Sequence, residues 1–170
     1  MAAPLDERAV QRFARQILLR EVGGRGQAAL QAAPVALQGR QPALEVAGAY
    51  LAAGGTPVDG ARGALPFDPI ALPSAGSLVC APALPSSLPA VVLGERAVLG
   101  ASATACRACL ALTVGGWSAP ARPALLGTLG ALMWQRLALG LAAPLEVRVL
   151  VGELSVEPGE VVRCPEHARA

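Results

Sequence analysis

At 170 residues the chain has the length of one domain, enough to bury a core but short for a two-lobed enzyme. Hydrophobic residues make up 54% and aromatic ones 3%, which excludes disorder and calls for a core of Ala, Leu and Val. Net charge is +2 and all 14 basic residues are scattered arginines, so nothing tracks a phosphate backbone, nucleic acid is excluded as a partner, and lysine chemistry is absent.

Acidic residues early in "MAAPLDERAVQRFARQ" interrupt any leader-like apolar stretch, so the expected location is the cytoplasm. Residues 5–31 carry Val10, Phe13, Ile17 and Leu18 at helical spacing, predicting an amphipathic helical region with a helix ending near Gly23 and Gly24. "APVALQG" at 33–39 predicts a strand, and "PALEVAGAYLAAGG" a helix with Pro42 in its first turn and glycines at its end. Residues 56–78 are rich in Pro and Gly and predict an irregular linker with at most one short strand near Val58.

From 79 onward the expectation is a buried strand holding Cys80 as a structural thiol, then a hairpin whose solvated tip carries Glu95 and Arg96. The apolar segment 123–145 is interrupted by Gln135 and Arg136, too soon for the roughly 20 residues of a membrane span, so it predicts a buried core helix. "LEVRVLV" alternates its valines against Glu146 and Arg148, and Pro158 and Gly159 read as the turn of a terminal antiparallel pair.

Four residues carry the clearest chemistry. "CRAC" supplies Cys106 and Cys109, and "CPEH" supplies Cys164 and His167. C-x-x-C with C-x-x-H is zinc-ligand spacing, and four protein ligands leave no open position, so the zinc would be structural. Free thiols on loops and a Cys106–Cys109 disulfide are the alternatives, the latter disfavoured in a reducing cytosol. The only histidine sits in the second knuckle, which leaves no base for a serine-hydrolase triad.

"RFARQILLREVGGRGQAAL" resembles the opening of the ThiF, MoeB and HesA adenylyltransferases, relatives of ubiquitin-activating enzymes, over Arg12 to Gln27. "ACRACLAL" and "LLGTLGALMWQRLALGLAAPLEVRVLVGELSVEPGEVVRCPEH" are similar to that family's zinc knuckles, penultimate helix and closing strands, with His167 where the last cysteine usually stands. The resemblance implies a single α/β domain over 1–170: a reduced Rossmann-like ThiF-type fold with parallel first strands, a C-terminal antiparallel pair and a structural zinc clamp. It also implies pairing as a homodimer or heterodimer through the N-terminal region.

The nucleotide site that the resemblance implies is degenerate. In residues 33–55 the family's G-x-G-x-x-G turn reads "GRQPAL": Gly39 is kept, while Gln41 and Leu44 replace the second and third glycines. Asp59 is the candidate ribose ligand, and Arg15 matches the family's arginine that reaches a partner's ATP. The chain has no Lys and no Asn, so the family's triphosphate-binding lysine and N-x-x-R-Q segment are missing, and neither ATP nor magnesium is expected as a cofactor. The expected function is that of a zinc-binding, catalytically inactive ThiF-like protein acting as a binding or scaffold partner for a carrier protein, peptide or intact family member. The alternative is an ATP-dependent adenylyltransferase of a ubiquitin-like or sulfur-carrier C-terminus, or half of a split enzyme.

Overall fold

In the computed structural model, residues 4–38, 42–59, 77–80, 90–114, 122–151 and 155–168 are described. In chain order these are α1 (Glu7–Arg12), α2 (Ala14–Ile17), α3 (Gly23–Gln31), β1 (Val35–Gln38), α4 (Pro42–Ala53), β2 (Val58–Asp59), β3 (Ser77–Cys80), β4 (Ala90–Leu93), β5 (Ala97–Ala101), α5 (Arg107–Val114), α6 (Pro123–Ala138), β6 (Leu145–Val151) and β7 (Ser155–Pro158). The strands form one seven-stranded sheet in the order β2-β1-β3-β4-β5-β6-β7. Only β1 and β2 run parallel, joined by α4, and every pairing from β3 onward is antiparallel.

This is an α/β architecture with both sheet faces covered. Because alternate strand residues point to opposite faces, Val91, Leu93 and Val98 join the α4 and α6 side, while Val92, Leu99 and Ala101 join the α5 side. On the first side α4 and α6 approach closely at Gly127, where a Cβ would lie 2.4 Å from the Ala43 carbonyl. Trp134 and Leu126 fill that layer, each fully buried apolar side chain contributing about 1.5–3 kcal/mol. The predicted core helix over 123–145 is therefore α6, and among the described residues no helix is long and apolar enough to cross a membrane.

The strand at 33–39, the helix from Pro42 with glycines at its end, the short strand at Val58 and the Glu95–Arg96 hairpin all form. Three expectations need correction. The N-terminal region is not one helix: it breaks at Phe13, and Gly23, at φ +57°, opens α3 instead of closing a helix. Only Phe13 of the expected apolar face is buried, whereas Val10 and Leu18 are exposed, because the chain turns before a continuous stripe can reach the core. The closing hairpin also lies earlier than expected. Pro158 ends β7 rather than making the turn, an edge-strand position where a missing N–H breaks no ladder bond.

Glu146 has a side chain only 11% exposed and bonds to Arg136 of α6 and to Arg148, because α6 covers this side of β6.

Candidate metal centre

The two knuckles come from opposite ends of the antiparallel half. Cys106 immediately precedes α5 and Cys109 sits in its first turn, with the Leu110 N–H donating to the Cys106 carbonyl at 3.0 Å. Ahead of them, Ser102 closes the loop from β5: its N–H donates to Pro144 and its hydroxyl accepts from Thr104 N–H. The second knuckle is a tight turn after β7, in which the N–H groups of His167 and Ala168 both donate to the Cys164 carbonyl at 2.9 Å.

The four ligand atoms lie within 4.8 Å of one another. Cys106 Sγ is 3.8 Å from Cys164 Sγ, and His167 Nδ1 is 3.2 Å from Cys164 Sγ and 3.8 Å from Cys109 Sγ. A tetrahedron with Zn–S near 2.3 Å has edges of roughly 3.8 Å, so the donor set fits zinc in both chemistry and span. Cys109 and Cys164 are buried, Cys106 is half-buried, and His167 lies at the surface. All four residues predicted as ligands are thus brought together, across a separation of 58 residues from Cys106 to Cys164.

Backbone amides favour the thiolates. The Cys109 amide, opposed by burial and helped by the neighbouring thiols and the Ala108 amide, holds the Cys106 thiol below its ordinary value. Cys109 accepts from the Cys164 N–H at 3.3 Å, but burial and the adjacent Cys164 and Cys106 groups outweigh that bond and push its thiol up. A divalent metal held here would relieve this crowding by taking the place of the thiol protons. Cys106, Cys109, Cys164 and His167 would hold it through three sulfurs and one imidazole, a full tetrahedral set.

Sequence reasoning missed Thr113. Its buried hydroxyl donates to the Cys109 carbonyl at 2.7 Å and accepts from the Val162 N–H at 3.0 Å, fastening the approach to Cys164 onto α5. Thr113 lies four residues after Cys109 on the same helix face, which marks its place but not its partner Val162. Val161 packs on the same side against Leu110, Val114 and Val147, so the knuckle is seated by apolar contact as well.

Among the described residues the cluster holds no other candidate residue. Arg15 is exposed in α2, and Gly39 and Gln41 lie outside the described residues. Asp59 closes β2 opposite Ala36, and Cys80 ends β3 opposite the same residue; their side chains are outside the described part. Leu44, in place of the expected third glycine, is a core residue of α4 at 3% exposure. The chain matches no protein-family model, no curated protein and no solved structure.

Proposed function

We propose that the chain is a zinc-clamped, catalytically inactive relative of the ThiF and MoeB adenylyltransferases, working as a binding or scaffold partner of a carrier protein, a peptide or an intact family member. In this reading zinc is structural and the protein pairs as a homodimer or heterodimer. The observation that carries it is the convergence of Cys106, Cys109, Cys164 and His167, the ligand group that the sequence resemblance implies. The lack of Lys and Asn and the replacement of two turn glycines by Gln41 and Leu44 argue against nucleotide chemistry.

Thermal shift with magnesium ATP tests it. The inactive reading expects an unchanged midpoint up to millimolar nucleotide, whereas a true site at 100 times its dissociation constant would add about 2.7 kcal/mol. Such a gain would establish the adenylyltransferase alternative in its place.

A further inference from the structure

The side of β6 away from the metal centre carries a second arrangement of functional groups. Leu129, Leu132, Met133 and Arg136 follow one another at helical spacing on α6 and, with Arg148 of β6 and Val156 of β7, line a cleft of about 210 Å³. Met133 is its buried floor, seated against Gly100, where a Cβ would lie 2.5 Å from Met133 Cγ. Leu132 and Val156 stand at its mouth, 52% and 40% exposed.

Two guanidinium groups share this cleft with one carboxylate. Arg136 Nη2 donates to Glu146 and to the Leu141 carbonyl, and Arg148 donates to Glu146 through Nε and Nη2. Neither Nη1 has a hydrogen-bond partner among the described residues, and the Arg136 Nε is buried without one. The group therefore keeps one uncompensated positive charge, unused planar donors and an apolar wall. The uncompensated charge gives an arriving anion an electrostatic reason to stay.

We propose that this cleft binds a small carboxylate bearing a short apolar tail, with the carboxylate on Arg136 and Arg148 and the tail over Leu132, Met133 and Val156. One net positive charge matches a monoanion, and the two Nη1 groups that Glu146 leaves unused can each donate to its carboxylate. The volume is below the roughly 300–1,000 Å³ of drug-sized sites, which limits the tail to a few carbons. This site is independent of the zinc reading and of the family reading.

The test is calorimetric titration of the purified protein with sodium hexanoate, and with acetate, 1-hexanol and inorganic phosphate as comparators. The expected result is saturable one-to-one binding with a Kd on the order of 1 mM, and at least about tenfold weaker binding of each comparator. Arg148→Gln should weaken hexanoate at least about tenfold, the loss of one charge-assisted bond. Val156→Asp, at an exposed edge-strand position that leaves the core intact, should abolish it. No saturable hexanoate binding, equal binding of acetate, 1-hexanol or phosphate, or wild-type affinity in both variants would overturn the proposal.

Discussion

The two faces of the sheet are built differently. On one, α4 and α6 lie against the sheet with Trp134, Leu126, Leu44 and Leu51 all buried, and glycines at 127 and 130 let the helices approach neighbouring backbone and Leu93. On the other, the single eight-residue helix α5 and the irregular stretch after β7 cover a smaller cluster of Val92, Leu99, Ala101, Leu110, Val114 and Val147. The first face holds by apolar area. Among the described residues the second has little helix over it, and its covering segments present the four Cys/His residues of the cluster. The contrast suggests how a metal could add to a smaller core: coordination by the Cys/His cluster would fix α5 and the C-terminal segment to each other.

Zinc removal should break the comparison most sharply. Chelation, or Cys164→Ala, is expected to lower unfolding free energy by more than about 4 kcal/mol in urea titrations, the range of losses from removed structural metals. Protection from hydrogen exchange should fall first in α5 and last in α6. If both helices lose protection together, the faces are not energetically distinct. Trp134→Ala attacks the other face and should cost about 3–5 kcal/mol while zinc stoichiometry stays unchanged. Loss of zinc in that variant's folded state would contradict the division.

Thr113→Val sharpens the picture at the seam. It removes the hydroxyl that joins Cys109 to Val162, leaving a backbone N–H unpaired, and should cost about 1–3 kcal/mol. Competition titration against a chromogenic chelator should show weaker zinc retention in the same variant, and unchanged retention would reduce Thr113 to a packing residue.

The smallest effect concerns Glu146. Burial pushes its carboxyl up, but hydrogen bonds from Arg148 and Arg136 more than offset this and hold it below the ordinary value. A depressed folded value contributes stability that is present above the unfolded carboxylate value, near 4.3, and lost as pH falls through the folded one. The wild type should therefore exceed Glu146→Gln by about 1 kcal/mol or less at pH 7, with the gap closing below pH 4. An unchanged gap at low pH would show that the cluster acts through shape and not charge.

What the sequence revealed follows from the range over which each signal acts. The C-x-x-C and C-x-x-H spacings each lie within four residues, so all four members of the Cys/His cluster were legible before any fold was known. The strand, turn and helix from Val35 to Ala53 carry their own Pro and Gly punctuation and were equally legible. Val10 and Leu18 misled because periodicity shows which residues align on a helix but not whether a core lies within reach. Alternation set Glu146 and Arg148 on the face opposite the valines but could not show that Arg136 of α6 meets them there in an ion cluster. Thr113 went unread because its value lies in Val162, 49 residues away, which local spacing cannot register.

The most direct test is elemental analysis of the purified protein beside Cys106→Ala and Cys164→Ala. The account predicts one zinc per wild-type chain and its loss from both variants, since each knuckle alone supplies only half a tetrahedron. A wild-type chain without metal, or variants that keep it in full, would contradict the clamp across the second face of the sheet.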